Sequence, residues 1–210
     1  MEREINAARV VDRRFFVNKD FLNLAHEDIP LPIGEEQTIS QPSTVIKMLQ
    51  YLDLRKGQKV LEIGSGSGWN AALISYLIGN KGNVTTIERH DSLAKLAKSN
   101  IKGFMKYLIS KDKRLLGSFS EIRAIHGNFF SYFKKSKKKY DRIIFTAGID
   151  YSDKEVVNTV EEIAEKILAN QGIMILPMAL GPLIIYKKIK DKLIKSKTEE
   201  EYRFVLLRSG

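Results

Sequence analysis

From Lys59 onward, short runs of β-branched residues alternate along the chain with apolar residues at helical spacing. The first pattern predicts strands, and the second predicts helices, whose buried positions recur every three or four residues. The predicted strands are 59–63, 83–88, 121–126, 140–146, 173–176, 183–189 and 201–207. The predicted helices cover 69–78, the apolar positions between 93 and 101, and 156–168, with Gly172 closing the last helix and opening the fifth strand.

This alternation predicts an α/β fold with a mostly parallel seven-stranded sheet and helices on both faces. The final two strands have no helix between them, which predicts an antiparallel hairpin at one edge. Residues 1–58 read as helix and loop that cover the carboxyl ends of the strands, where ligands bind in such sheets. Residues 103–120 read as a basic insertion. We predict a single domain over 1–210 whose Rossmann-like core is 59–210.

Composition narrows the class of protein. Apolar residues make up 43% and charged residues 29% of the chain, which excludes disordered and low-complexity proteins. The absence of cysteine excludes disulfides, cysteine nucleophiles and cysteine zinc sites. The N-terminus lacks the apolar core of a signal peptide, and the apolar stretch 172–186 is too short for a membrane span. We therefore expect a cytoplasmic protein with no membrane partner.

A glycine-rich loop follows the first predicted strand and precedes a helix. Gly64, Gly66 and Gly68 let the backbone turn sharply and approach a ligand at the helix N-terminus. The dinucleotide fingerprint requires glycine at the position of Trp69, so a diphosphate does not fit. Glu88 ends the next strand, where an acid accepts hydrogen bonds from both ribose hydroxyls of an adenosine. The pattern predicts a nucleoside-cofactor site; the alternative is a tight turn with a surface glutamate.

Two further segments carry candidate ligand contacts. Asn128 and Phe129 follow the third strand, where the amide can hydrogen-bond an adenine edge and the ring can lie against it. The alternative for Phe129 is a place in the core. Ser40 precedes a helix that Pro42 begins, where backbone N–H groups and the helix dipole favour an anion. Taken as structure alone, Ser40 is a helix cap.

These motifs together resemble the protein-L-isoaspartate O-methyltransferase family. The glycine loop is shared by many methyltransferases, whereas the stretch PLPIG followed by QTIS is much more specific. The resemblance extends from about Phe15 to Leu207, nearly the whole chain. The matching segments are DIPLPIG (28–34), QTISQP (37–42), KVLEIGSGSGWNAAL (59–73), YDRIIFTAG (140–148) and the closing RFVLL (203–207).

The resemblance implies a Rossmann-like class I S-adenosylmethionine-dependent methyltransferase. Its members methylate the α-carboxylate of L-isoaspartyl residues in damaged proteins, so isoaspartyl peptides and proteins are the expected partners and S-adenosyl-L-homocysteine the product. Ser40 matches the active-site serine of the family, and Arg203 and Val205 lie on the closing strand near the substrate. The implied cofactor residues are Gln37, Thr38, Ile39, Gly64, Ser65, Gly66 and Glu88, to which we add Asn128 and Phe129.

Three departures from the family pattern stand out. Gln41 and Ser43 flank the proline where the family has alanine and histidine, Asn128 and Phe129 replace an Asp-Gly pair, and Leu206 replaces a proline. These changes motivate one alternative, a module that binds the cofactor without turnover. The expected chemistry needs no general base, because a carboxylate is ionised near pH 7. The three histidines show no metal spacing, and we predict no metal.

The main rival function is an RNA methyltransferase on the same fold. Lysine and arginine number 35 against 25 acidic residues, a net charge of +10. The densest basic run, Lys134–Lys139, follows several aromatic residues, a combination that binds single strands. A solvated loop is the other interpretation of that run. The chain lacks the catalytic cysteine and the Asn-Pro-Pro-Tyr type motif of nucleic-acid methylases. We therefore expect no nucleic-acid partner and leave a homo-oligomer open.

Overall fold

The computed structural model describes residues 2–133, 136 and 138–208. Helix and turn dominate the segment before the central sheet, as the sequence predicts, but a small hairpin also lies there. It escapes the sequence pattern because its strands are only four and three residues long. The elements are α1 (Glu2–Val10), 3-10 turns at Arg13–Phe16 and Lys19–Leu24, β1 (Leu31–Gly34), β2 (Gln37–Ile39) and α2 (Pro42–Leu52).

The described residues form a seven-stranded sheet in the order β5-β4-β3-β6-β7-β8-β9. Strands β3 to β7 pair in parallel, and β8 is antiparallel to both of its neighbours. The predicted mostly parallel sheet with an antiparallel hairpin at one edge is confirmed. The elements are β3 (Lys59–Ile63), α3 (Trp69–Ile78), β4 (Asn83–Glu88), α4 (Asp91–Lys111), a 3-10 turn (Lys113–Ser118), β5 (Glu121–His126), α5 (Phe129–Phe133), β6 (Tyr140–Phe145), α6 (Lys154–Ile167), β7 (Leu168–Pro177), β8 (Leu180–Ile189) and β9 (Lys192–Arg203).

Both faces of this sheet are buried. On β7, Ile173 and Ile175 pack into the core that includes α1 to α4, whereas Met174 and Leu176 pack into the core under α5 and α6. Successive side chains of a strand point to opposite faces, so a strand covered on both sides becomes an almost continuous apolar run. This burial explains why the central strands are readable from the sequence.

The boundary between α6 and β7 differs from the prediction. Helix α6 ends at Ile167 and β7 begins at once with Leu168, which pairs with Tyr140. Gly172 therefore lies inside the strand and does not close the helix. The left-handed position of this segment is Gln171, with φ 61°, beside a register shift in the pairing with β6.

The last strand was also placed wrongly, because β9 covers Lys192–Arg203 rather than 201–207. The turn that precedes it is Lys190–Asp191, both with positive φ. As an edge strand with most of its residues exposed, β9 carries many charged side chains, which hide the alternation expected of a strand. Beyond Arg203 the Phe204 N–H donates to Ala179 O at 2.9 Å, and Leu206 forms an isolated bridge with Gly148.

Residues 103–120 are not an irregular insertion. Helix α4 continues to Lys111, and its buried positions Ala97, Phe104 and Leu108 maintain helical spacing between exposed lysines. A 3-10 turn follows at Lys113–Ser118. None of the helices among the described residues is both long enough and apolar enough to cross a bilayer.

Candidate active site

A cavity of about 630 Å³ lies at the carboxyl ends of β3, β4 and β6. Strand β3 is the point where the chain order of the sheet reverses, since β4 and β6 pair on either side of it. Ligands bind at such points in open α/β sheets. The glycine loop, the β1–β2 hairpin with Ser40, and the segment 205–208 all contribute to the lining. Three parts of the chain that are distant in sequence thus meet around one space.

The glycine loop connects β3 to α3 in a conformation that other residues rarely adopt. Gly64 and Gly68 have φ of 96° and 89°, in the left-handed region that favours glycine. A Cβ on Gly64 would overlap with Thr146 Oγ1, so the space beside the loop is also closed to a side chain. The Gly64 N–H donates to Ile87 O at 2.8 Å, which ties the loop to β4. Gly64 and Gly66 thus border the cavity with bare backbone, alternating with Ser65 and Ser67.

Glu88 stands at the end of β4 and joins the loop. Its carboxylate accepts hydrogen bonds from the backbone N–H of Gly66 at 3.0 Å and of His90 at 3.1 Å. The side chain is buried and lines the cavity. The structure thus brings the predicted ribose acid and the predicted glycine loop together. The alternative, a glutamate on the surface, is wrong because Glu88 is buried.

A second acid, Glu62, lies beneath the loop and was not predicted as a site residue. It is fully buried on β3 and accepts hydrogen bonds from Asn70 Nδ2 at 2.8 Å and from Thr86 Oγ1. Burial raises the pKa of Glu62 to about 7, with the charge of Glu88 adding to the rise and the two hydrogen bonds opposing it. The sequence signal was present, since Glu62 stands two residues before Gly64.

Glu62 predicts a pH dependence of stability. Its pKa is raised from 4.5 to about 7 in the folded protein, so folding favours the protonated form. The contribution of Glu62 to the free energy of unfolding is therefore fully present below about pH 4.5 and is lost as the pH rises through 7, a change of at most about 3 kcal/mol. We expect the free energy of unfolding of Glu62→Gln to fall less over this pH range, because the variant has no carboxyl group to ionise at this position. Urea unfolding of both proteins between pH 5 and 8 measures the difference, and parallel stability curves would contradict the prediction.

Ser40 lies between β2 and α2 and lines the cavity. The interpretation of Ser40 as a helix cap is wrong, because Gln41 is the N-cap residue of α2 and Asp28 satisfies the helix start. Asp28 accepts from the Ser43 N–H at 2.8 Å and from Gln41 Nε2 at 2.9 Å. The anion at this helix N-terminus is thus Asp28 itself. The Ser40 hydroxyl makes no hydrogen bond to any described residue and is free to meet a ligand.

Asn128 and Phe129 line the cavity and also serve the fold. Asn128 Oδ1 accepts from the Phe130 N–H at 2.8 Å, which caps the start of α5. Phe129 is 4% exposed and packs edge-on against Phe145. Phe129 therefore both lines the cavity and packs in the core, so the interpretations of it as a ligand contact and as a core residue are compatible. One lone pair of the Asn128 oxygen is already engaged, which restricts what it can offer an adenine.

The segment after β9 closes the cavity at another side. Val205 lines it, and the Gly148 N–H donates to Val205 O at 2.8 Å. Leu206 also lines the cavity and is 45% exposed, so it lies at the rim. Arg203 is exposed at the end of β9 and is not among the lining residues. Of the two predicted substrate contacts on this segment, only Val205 lies at the cavity.

The basic run that motivated the RNA alternative is described only in part. Lys134, Lys135 and Lys137 lie outside the described residues. Lys139 donates from Nζ to Lys166 O, so it contacts the end of α6. Across 2–133, 136 and 138–208, histidine and the acidic residues form no group suited to holding a metal ion.

The sheet order, the glycine loop at the reversal point and the buried acid on the next strand define a Rossmann-like methyltransferase. The sequence profile described as protein-L-isoaspartate(D-aspartate) O-methyltransferase matches residues 1–210. The chain belongs to this family.

Curated relatives and solved structures agree with the family. A protein-L-isoaspartate O-methyltransferase of Thermosipho melanesiensis is 38% identical over 186 residues, covering 89% of this chain and 83% of its own. One of Methanococcoides burtonii is 33% identical over 208 residues, covering 98% and 92%. A Plasmodium falciparum protein-L-isoaspartate O-methyltransferase in complex with S-adenosyl-L-homocysteine superposes with a TM-score of 0.79 at 24% identity, over 100% of this chain and 92% of that one.

Proposed function

We propose that this protein transfers the methyl group of S-adenosylmethionine to the α-carboxylate of L-isoaspartyl residues in damaged proteins. The observation that carries the proposal is the joint placement of the glycine loop, Glu88, Ser40 and Val205 around one cavity. Family membership supplies the reaction class. We place the activity in the cytoplasm, with isoaspartyl peptides and proteins as partners and S-adenosyl-L-homocysteine as the second product.

The residues present fit an adenosine cofactor. Gly64 and Gly66 line the cavity and carry no side chain, so a ligand can closely approach the loop backbone. The Glu88 carboxylate lies at the same loop and can accept from ribose hydroxyls. A volume of about 630 Å³ suits a ligand of this size together with a substrate side chain. Gln37, Thr38 and Ile39 on β2 would cover the cofactor from the N-terminal segment.

The other residues of the site would position the substrate carboxylate relative to the methyl group. When bound, the cofactor would supply a methyl group on a positively charged sulfur. An ionised carboxylate would bond to the methyl carbon in line as the carbon–sulfur bond breaks, which leaves S-adenosyl-L-homocysteine. The isoaspartyl carboxylate is ionised at neutral pH without a general base. The hydroxyl of Ser40 would donate to one of its oxygens and so fix the direction of the other. Val205 and Leu206 border the cavity and would keep water from the reacting atoms.

A substrate panel tests the proposal directly. The purified protein is incubated with radiolabelled S-adenosylmethionine and, separately, an isoaspartyl peptide, its normal aspartyl twin and total RNA. We expect base-labile label in the isoaspartyl peptide alone, because the twin has no α-carboxylate at that residue. Label confined to RNA would overturn the proposal, and binding of the cofactor with no label in any arm would identify a module without turnover.

A further inference from the structure

Arg13 is a buried cation whose function the sequence does not reveal. It stands in the 3-10 turn Arg13–Phe16 and is 2% exposed. Its guanidinium Nη1 donates to Ala25 O at 3.0 Å, and Nη2 donates to Ile29 O at 3.0 Å. A buried charge is costly unless it is well hydrogen-bonded, so this position calls for an explanation.

The same guanidinium holds the segment that carries the candidate serine. Nη2 of Arg13 also donates to Ser40 O at 3.0 Å and to Ile39 O at 3.4 Å. The fork of donors therefore links residues 25–29 to residues 39–40 through one rigid plane. Arginine suits this arrangement because its planar fork directs several N–H groups at once, whereas lysine presents a single nitrogen.

Arg13 is itself held on two sides. Its guanidinium carbon lies 5.3 Å from the ring centroid of Trp69, which begins α3 directly after the glycine loop and lines the cavity. The Trp69 Nε1–H donates to Val11 O at 3.0 Å and ties the ring to the same N-terminal segment. Burial lowers the pKa of Arg13 to about 10, and the charge of Asp28 opposes that change. The guanidinium remains charged at neutral pH.

We propose that Arg13 is a positioning residue for the reaction: it fixes the backbone at Ile39 and Ser40 so that the Ser40 hydroxyl faces the substrate carboxylate. The inference rests on the function proposed for Ser40. Its physical basis is that the Ser40 hydroxyl has no hydrogen-bond partner among the described residues, so no contact of its own aligns it. The backbone fixes the position from which the Ser40 side chain extends, and the Ser40 carbonyl is bound by the guanidinium.

Arg142 provides a matched control. It is also buried, and it donates to backbone carbonyls, with Nε to Leu52 O at 2.7 Å and Nη2 to Asp53 O at 3.0 Å. Leu52 and Asp53 are at the end of α2, a further partner is Asp141 O on its own strand, and Arg142 does not line the cavity. Replacing it by lysine removes a comparable set of hydrogen bonds from the fold without touching the Ser40 segment.

The experiment compares Arg13→Lys, Ser40→Ala and their combination with Arg142→Lys. We expect Arg13→Lys to lower kcat on an isoaspartyl peptide about 10-fold, with nearly unchanged affinity for S-adenosylmethionine. In the Ser40→Ala background the same change should cost less than about two-fold, because the group it positions is gone. Arg142→Lys should lower the thermal midpoint while leaving kcat within about two-fold of the starting protein.

Other results would overturn the role of Arg13 or that of Ser40. Equal losses from Arg13→Lys with and without Ser40 would overturn the positioning role, as would unchanged kcat in Arg13→Lys when Ser40→Ala is slow. Full turnover in Ser40→Ala would instead remove the proposed role of the serine. Should Arg13→Lys not fold, Arg13→Gln takes its place, because it removes the fork of donors to Ile39 O and Ser40 O without burying a charge. An additive effect of Arg13→Gln with Ser40→Ala would then count against the proposal.

Discussion

Replacement of Glu88 by alanine is expected to raise the dissociation constant for S-adenosylmethionine by at least about 100-fold. A hydrogen bond to a charged group contributes about 1.5–3 kcal/mol, and two ribose hydroxyls would donate to this carboxylate. The variant also leaves the Gly66 and His90 N–H groups without their acceptor, which loosens the loop that faces the cofactor. Calorimetric titration with S-adenosylmethionine measures the change.

Two further variants test whether the lower cofactor affinity of Glu88→Ala comes from the lost hydrogen bonds or from the lost negative charge. Asp91→Ala removes an exposed carboxylate three residues further along, at the start of α4, where it pairs with Lys95. We expect its cofactor affinity to stay within about two-fold, since exposed ion pairs contribute little. Glu88→Gln keeps the shape and one acceptor and should give an intermediate affinity. An unchanged affinity in Glu88→Ala would exclude this residue from the cofactor site.

The sequence predicts the candidate nucleoside half of the site from signals that are local. The predicted bounds of β3, α3 and β4 agree with the structure, since β3 and β4 are almost wholly buried and are rich in β-branched residues such as Val60, Val84 and Ile87. The glycine loop lies between the first two, and Glu88 ends the third. Each of these signals depends on residues within a few positions of one another, which is the range over which a single sequence is informative.

The substrate half depends on contacts that a single sequence does not encode locally. Ser40 looked like a cap, yet the acceptor for the start of α2 is Asp28, fifteen residues before the donor Ser43. Arg13 has backbone carbonyls as partners, at separations of 12 to 27 residues, so no complementary side chain marks it. Strand β9 was misplaced because an exposed edge tolerates charge at most positions. Tertiary structure, rather than propensity, decides all three.

Ser40→Ala is expected to slow methyl transfer to a saturating isoaspartyl peptide about 10²- to 10³-fold, with little change in cofactor affinity. The reason is orientation: an unaligned carboxylate seldom presents an oxygen in line with the methyl carbon, and misplacement of a reacting group by about 1 Å costs about 10²-fold in rate. The Ser40 hydroxyl has no partner among the described residues, so its removal breaks no hydrogen bond of the fold. Single-turnover assays with enzyme-bound radiolabelled cofactor measure the chemical step.

Ser43→Ala is the matched control, because it removes the same hydroxyl three residues away, at an exposed position outside the cavity lining. Its backbone N–H still donates to Asp28, so the start of α2 is retained. We expect its rate to stay within about two-fold of the starting protein, as surface substitutions have small effects. Equal rates for Ser40→Ala and Ser43→Ala would show that the hydroxyl does not orient the carboxylate. The backbone around the cavity would then have to supply that alignment alone.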